Sequence, residues 1–138
     1  MTLQVGLIGA GGVGRKRAAA VREDPRTDLL VVCDRVEARA RAVAAADTHI
    51  LGAWEEAVAT TDLDLIIVST THDMLVPIST AALQAGKHVL CEKPLGRTVE
   101  EARCATRAAA EAGCVLHAGY NHRFHPAIQA LHQVVDSG

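Results

Sequence analysis

The sequence lacks an excess of charge of either sign. Its 14 lysines and arginines face 16 aspartates and glutamates, which gives a formal net charge of -2. Proteins that bind nucleic acid usually concentrate basic residues into a positive surface. The composition therefore argues against a nucleic-acid partner.

Cysteine is scarce, and its spacing indicates no shared role. No C-x-x-C pair occurs, and each cysteine lies within or beside an apolar segment. Such cysteines are typical of small buried hydrophobic side chains rather than of metal ligands or disulfide partners. They fit a reducing compartment, so we expect a cytoplasmic protein. The four are Cys33, Cys91, Cys104 and Cys114.

Long apolar runs and a targeting leader are also missing. No apolar run reaches the roughly 18 residues that span a bilayer, and no charged leader with an apolar core opens the sequence. We therefore expect neither a membrane partner nor a processed segment. The 138 residues, 49% hydrophobic and 22% charged, predict a single domain that folds without disulfides.

What the sequence does contain is an apolar strand followed at once by a glycine-rich turn and a helical pattern. In G-x-G-x-x-G the first glycine permits a sharp turn, the second lets a pyrophosphate approach the backbone, and the third lets helix and strand pack. Phosphates are then expected on the N–H groups at the helix start. The alternative is a βαβ unit without a ligand. The turn comprises Gly9, Ala10, Gly11, Gly12, Val13 and Gly14.

An acidic residue ends the second predicted strand. Asp34 lies about two dozen residues after the turn, as expected for a dinucleotide site. Its carboxylate is suited to accept hydrogen bonds from the ribose hydroxyls of NAD. Arg35 beside it is suited to pair with the 2′-phosphate of NADP or to lie on the adenine. We therefore expect NAD as the preferred cofactor, with NADP tolerated.

A basic run, Arg15-Lys16-Arg17, follows the turn. Such a run either adds positive potential near bound phosphates or forms a solvated helix face. We favour the solvated face, which is the commoner role of a charge run on a helix.

Strands and helical patterns alternate along the whole chain. They predict six strands in an open, doubly wound parallel sheet, a Rossmann fold of the α/β class with strand order 3-2-1-4-5-6. Trp54 is expected to pack a short helix against the core. The other main expectations are helices over 12–23, 36–46, 54–60, 73–85, 99–112 and 126–136, and strands over 48–51, 63–69, 88–91 and 114–119.

Polar residues follow the carboxyl ends of the predicted strands, where ligands of such sheets bind. We expect these residues to line the cofactor site, with Asn121 and Arg123 contacting cofactor or substrate. Besides the turn and Asp34, they are Ser69, Thr70, Thr71 and His72 after the fourth strand, Glu92, Lys93 and Pro94 after the fifth, and residues 120–125 after the sixth.

Three segments together resemble the Gfo/Idh/MocA family, the glucose-fructose oxidoreductase and inositol dehydrogenase type. They are the glycine turn, the run Ala85-Gly86-Lys87-His88-Val89-Leu90-Cys91-Glu92-Lys93-Pro94-Leu95, and the run Gly119-Tyr120-Asn121-His122-Arg123-Phe124-His125-Pro126. The resemblance implies an NAD(P)-dependent oxidoreductase acting on a sugar, inositol or related polyol. It also implies that Lys93 is the catalytic residue at the substrate and nicotinamide site, where a cation stabilises alkoxide charge. The Lys93–Pro94 bond is often cis in this family.

The chain departs from the family pattern after the fourth strand. Family members usually read Thr-Pro-Asn-x-x-His, whereas this chain reads Thr70-Thr71-His72-Asp73-Met74-Leu75. The loop backbone is still expected to line the cofactor. The side-chain roles of the usual motif do not carry over to His72 or Leu75.

The resemblance also implies a second domain that supplies the acid-base residues, most of the substrate pocket and the contacts of homo-oligomers. Residues 1–138 correspond to the NAD(P)-binding domain alone, as a truncated cofactor domain or a natural single-domain derivative. Two other functions stay open, namely an NAD(P)-binding sensor without net turnover and glycoside cleavage through transient oxidation.

Three histidines are candidates for a metal site because imidazole is a good metal ligand. No carboxylate or cysteine completes a recognisable ligand spacing around them, so we expect no metal. The histidines are His117, His122 and His125.

Overall fold

The computed structural model describes residues 2–138, which form one six-stranded parallel sheet with helices on both faces. The strands are β1 (Leu3–Ile8), β2 (Thr27–Cys33), β3 (His49–Leu51), β4 (Leu65–Val68), β5 (His88–Cys91) and β6 (Leu116–Ala118). Their order across the sheet is β3-β2-β1-β4-β5-β6. This order confirms the predicted doubly wound α/β fold.

Within residues 2–138, six α-helices and one 3-10 helix connect or follow these strands. The α-helices are α1 (Gly12–Glu23), α2 (Glu37–Arg41), α3 (Trp54–Ala59), α4 (His72–Gln84), α5 (Val99–Ala112) and α6 (Pro126–Asp136), and the 3-10 helix covers Asn121–Phe124.

The central strands are buried on both faces, which explains why they read as continuous apolar runs. On β1, Val5 and Leu7 pack in a cluster that includes Ala18 of α1. Ile8 belongs to the cluster on the opposite face, with Leu75 and Ile78 of α4. The sheet is therefore a rigid layer between two apolar cores, and its carboxyl edge is held in place by both.

The start of α5 and the ends of α4 and α5 have residues that are typical of helix caps. Thr98 caps α5 by accepting a hydrogen bond from the backbone N–H of Glu101 at 3.2 Å. Gly113 ends α5 with a φ of 65°, and Gly86 follows α4 with a φ of 77°. Both are left-handed conformations that favour glycine.

The predicted helix over 36–46 is wrong in length, because α2 covers only Glu37–Arg41. Thr48 accounts for part of the difference. Its hydroxyl donates to the carbonyl of Leu29 at 3.0 Å and accepts the N–H of Ala45 at 3.0 Å. These bonds hold the segment as a turn against β2, an alternative that threonine often offers the backbone. The sequence also did not predict the 3-10 helix after β6.

The cysteine prediction holds for two of the four residues. Cys33 and Cys91 are buried, and burial raises the pKa of both thiols, that of Cys33 to about 11. Cys104 is exposed and Cys114 is half-buried, so the prediction of burial is wrong for Cys104. Trp54 is half-buried against the core, as expected.

Helix α6 differs from the other long helices, because none of its side chains is buried. Its apolar residues Ile128, Leu131, Val134 and Val135 are exposed. Among residues 2–138, no helix combines the length and the hydropathy that crossing a membrane requires.

Candidate functional site

The register of the sheet places the candidate residues along one edge. Ile8 of β1 pairs with Cys33 of β2 and with Val68 of β4, and Val68 pairs in turn with Cys91 of β5. Cys91 pairs with Ala118 of β6. The residues that come next in the chain are therefore neighbours at the carboxyl edge, namely Gly9, Asp34, Ser69, Glu92 and Gly119.

The glycine turn is shaped by close backbone approach. Gly9 has a φ of 96°, and a Cβ there would lie 2.6 Å from the carbonyl oxygen of Ser69. A Cβ on Gly14 would overlap the carbonyl oxygen of Gly9. The hydroxyl of Ser69 donates to that same carbonyl at 2.6 Å, so Ser69 holds the turn against the end of β4.

The outer side of the turn is open. A Cβ on Gly11 or Gly12 would meet no atom within 4 Å. Gly11 is the N-cap of α1, and no side chain accepts a hydrogen bond from the first N–H groups of this helix in the described residues. Free N–H groups at a helix start, beside bare backbone, form a cradle suited to a phosphate. The turn therefore fits the pyrophosphate of a dinucleotide.

Asp34 is tied directly to this turn. Its Oδ2 accepts the backbone N–H of Ala10 at 2.8 Å, and its Oδ1 accepts the N–H of Val36 at 2.8 Å. A carboxylate has about four acceptor positions, so two remain for hydroxyl donors. Sequence spacing predicted Asp34 but not its bond to Ala10, which makes this residue part of the turn as well as a candidate ribose contact.

Two clefts open beside Asp34 and the turn. One, of about 260 Å³, is lined by Asp34, Arg35, Glu37, Ile50, Leu51 and Gly52. The other, of about 430 Å³, is lined by Ala10, Gly11, Gly12, Arg15 and Arg39. Sequence reasoning did not select Arg39, Glu37 or the β3 residues. The signal available for Gly52 was its position directly after a strand, the same position that Asp34 holds after β2.

The basic run after the turn has three different environments. Arg15 lines the larger cleft, and Lys16 is exposed. Arg17 is mostly buried and pairs with Glu92. The predicted solvated face is thus right for Lys16 and wrong for Arg17, whose partner lies 75 residues away in the sequence.

The loop after β4 and the start of α4 carry the residues that depart from the family pattern. Thr71 is the N-cap of α4, and His72 opens the helix with an exposed side chain. A hydrogen bond from Thr71 lowers the pKa of Asp73. Leu75 is fully buried in the apolar core, so it has a packing role and no contact with the edge.

The segment after β5 carries Glu92, Lys93 and Pro94, with a cis Lys93–Pro94 bond. Glu92 is buried, and its Oε1 accepts the Nε–H of Arg17 at 2.6 Å. Lys93 is exposed beside it. The carboxylate of Glu92 is therefore engaged with α1, whereas the ammonium of Lys93 is free to meet a ligand.

The residues after β6 are the least connected part of the site. Asn121 and Arg123 lie exposed on the 3-10 helix, with the guanidinium of Arg123 6.0 Å from the ring centre of Phe124. No side-chain hydrogen bond joins either residue to the turn within the described chain. His125 caps α6 by accepting the N–H of Ala127 at 3.2 Å. Residues 2–138 contain no group of three or more His, Cys, Asp or Glu placed to hold a metal.

Known proteins are similar to this chain in both sequence and fold. A family model described as an oxidoreductase family with an NAD-binding Rossmann fold matches residues 3–120. Inositol 2-dehydrogenase from Rhizobium meliloti is 30% identical over 138 residues, which is 100% of this chain and 42% of that protein. The chain thus spans well under half the length of this relative.

Solved structures place cofactors in the same fold. GenD2 from gentamicin A biosynthesis, solved with NAD, has a TM-score of 0.91 and 32% identity over 96% of this chain and 38% of its own. Biliverdin reductase from Synechocystis sp. PCC 6803, solved with biliverdin and NADP+, has a TM-score of 0.89 and 29% identity over 97% of this chain and 43% of its own. The chain belongs to the Gfo/Idh/MocA oxidoreductase family, whose NAD-binding Rossmann fold it carries.

Proposed function

We propose that this chain is the cofactor-binding part of an NAD(P)-dependent dehydrogenase that acts on a secondary alcohol of a sugar, inositol or related polyol. One observation carries the proposal: the turn with its open outer side is bonded to Asp34, and a cleft lies on each side of that bond. The inositol 2-dehydrogenase relative supports the substrate class.

The glycine turn and its arginines hold the pyrophosphate in this proposal. The N–H groups of Gly12 and Val13 open α1, where the helix dipole favours an anion. Arg15 and Arg39 line the same cleft and add positive charge. Because these contacts come mostly from backbone, they bind phosphate whatever the rest of the ligand is.

Asp34 and Arg35 recognise the adenosine end of the cofactor in this proposal. The free acceptor positions of Asp34 suit the 2′- and 3′-hydroxyls of a ribose, and a 2′-phosphate meets repulsion from the carboxylate. Arg35 offers that phosphate a counter-charge in the same cleft. The pair therefore favours NAD and tolerates NADP.

The exposed residues farther along the edge serve the reacting end. When bound, the nicotinamide accepts or returns a hydride. Lys93 carries an exposed ammonium that lowers the energy of alkoxide charge on a substrate oxygen, and its Nζ holds a proton at that position. Thr70, Thr71, His72 and Pro94 border this region, and Asn121 and Arg123 are proposed as cofactor or substrate contacts.

The domain assignment is part of the proposal. We assign residues 1–138 to cofactor binding, and a further domain to the acid-base residues, the remaining substrate pocket and the contacts of homo-oligomers. The relative that is 30% identical is more than twice as long as this chain, which supports such a division. The cysteines of residues 2–138 are all unpaired, which favours the cytoplasm as the compartment.

Calorimetric titration of the 138-residue chain tests the cofactor assignment. We expect NADH to bind more tightly than NADPH by several-fold. Asp34→Asn should weaken NADH binding by about tenfold, because one of its acceptor oxygens becomes a donor facing backbone N–H. Asp28→Asn is the matched control, since Asp28 is exposed on β2 and loses the same charge. A tenfold preference of the unaltered chain for NADPH would contradict the role of Asp34.

A turnover assay tests the domain assignment. The purified chain is mixed with NAD and a panel of inositols, aldoses and sugar acids, and NADH absorbance is followed. We expect stoichiometric cofactor binding without turnover, because most of the substrate pocket is assigned to the further domain, and orientation of the substrate supplies several kcal/mol of catalysis. Steady NADH formation by this chain alone would overturn the need for a second domain.

A further inference from the structure

An ion pair crosses the site from α1 to the end of β5, and nothing in the proposed function uses it. Arg17 lies in the second turn of α1, and Glu92 directly precedes Lys93. The Nε of Arg17 donates to Oε1 of Glu92 at 2.6 Å, and a terminal guanidinium nitrogen contacts the same oxygen. Both donors thus converge on one carboxylate oxygen.

The pair is largely shielded from water. The side chain of Glu92 is 10% exposed and that of Arg17 is 22% exposed. An exposed ion pair contributes little, but removing one partner of a buried pair leaves an uncompensated charge. The carboxylate of Glu92 then has to move toward water.

The end of β6 leaves room for the Arg17–Glu92 pair because a glycine stands there. Gly119, at the end of β6, is buried, and a Cβ there would lie 2.9 Å from Oε2 of Glu92 and 3.3 Å from a terminal nitrogen of Arg17. The sheet holds the backbone on both sides, because Gly119 N–H donates to Cys91 at 2.8 Å and Glu92 N–H donates to Val68 at 2.9 Å. The carboxylate therefore has little freedom except along its bond to Arg17.

We infer that Arg17 and Glu92 are positioning residues, which hold the Lys93–Pro94 segment in a fixed relation to the phosphate-binding end of α1. The inference rests on the proposed function, since it assigns the two ends of one cofactor to those two places. The backbone N–H of Lys93 donates to Oε2 of Glu92 at 3.4 Å. Loss of Arg17 therefore shifts the carboxylate of Glu92 and, through this bond, Lys93, while the turn and Asp34 keep their own contacts.

Two ligands separate the ends of the cofactor. ADP-ribose contains the adenosine and pyrophosphate, and NADH adds the nicotinamide. Calorimetry of the 138-residue chain gives both affinities for the unaltered protein and for Arg17→Met. We expect Arg17→Met to weaken NADH binding by roughly tenfold and ADP-ribose binding by less than about threefold. A tenfold change lies within the range of interaction energies measured between residues in contact.

Two further variants serve as controls. Lys16→Met removes the same charge from the adjacent, exposed position, so it should change both affinities by one small factor. Arg17→Lys keeps the charge but loses the planar fork, so it should recover part of the NADH affinity. If Arg17→Met does not fold, as judged by circular dichroism, the ratio of the two affinities in Arg17→Lys decides the question.

The outcomes distinguish the inference from the proposed function. An unaltered chain that binds neither ligand overturns both. An unaltered chain that binds NADH no more tightly than ADP-ribose keeps cofactor binding and overturns the inference. Equal weakening of both ligands by Arg17→Met, or an effect no larger than that of Lys16→Met, assigns the pair a purely structural role.

Discussion

The half of the sheet formed by β1, β2 and β3 and the half formed by β4, β5 and β6 present different surfaces at the same edge. In the first half, the turn, Asp34 and the two clefts are joined by short hydrogen bonds and close backbone contacts. In the second half, Lys93, Asn121 and Arg123 are exposed, and α6 buries no side chain.

The difference reflects what each half has to recognise in the proposed function. Pyrophosphate and adenosine are the same in every dinucleotide reaction, so a site made of backbone N–H groups and one carboxylate suffices. A substrate varies within the family, and recognition there falls to side chains on loops, which change without disturbing the sheet. Predictions that act on backbone in the first half should therefore have larger effects than those that act on α6.

The largest effect is expected for Gly14→Ala. The added Cβ overlaps the carbonyl oxygen of Gly9, which is fixed by its bond from Ser69 and cannot withdraw. We expect the free energy of unfolding to fall by about 3 kcal/mol or more, as for severe overpacking against backbone. Urea denaturation followed by circular dichroism measures it. Gly12→Ala, whose Cβ meets nothing within 4 Å, is the control and should be close to neutral; equal losses would refute the packing argument.

The second-largest effect is expected on cofactor affinity, with little change in the free energy of unfolding. Gly11→Ala places a Cβ in open space, so unfolding in urea should change by less than about 0.5 kcal/mol. The same methyl group occupies the cradle, so NADH affinity should fall by tenfold or more, the cost of losing a hydrogen bond to a charged group. Calorimetry beside the urea curve gives both values. Unchanged NADH affinity would show that phosphate does not approach this part of the turn.

Local patterns predicted most of the first half. Gly9 to Gly14 and Asp34 follow directly from a strand, a turn and a second strand, and those signals lie within a few residues of one another. The sheet order followed from the alternation of strands and helices together with the short connections. What the patterns missed is the hydrogen bond from Ala10 to Asp34, which depends on how two strand ends align.

Contacts between residues that are far apart in the sequence account for the features that local patterns did not predict. Arg17 reads as one of three basic residues on a helix, and only the fold brings it to Glu92. Arg39 lines the larger cleft from α2, and the alanine-rich sequence of this segment does not indicate that placement. Leu75 stands where the family often has histidine, and only the packing of α4 shows that its side chain is fully buried.

The smallest effect is expected on α6, where a matched pair of leucines tests the contrast between the halves. Leu131 of α6 is 58% exposed, whereas Leu83 of α4 is fully buried. Leu131→Ala should leave the free energy of unfolding within about 0.5 kcal/mol, because it removes no buried contact and alanine favours helix. Leu83→Ala, the same chemical change in the core, should cost about 2 to 5 kcal/mol. Urea denaturation at two protein concentrations measures both. A loss above about 1 kcal/mol for Leu131→Ala that grows with concentration would mean that a second copy covers this face, and the second half would then be less open than its surface indicates.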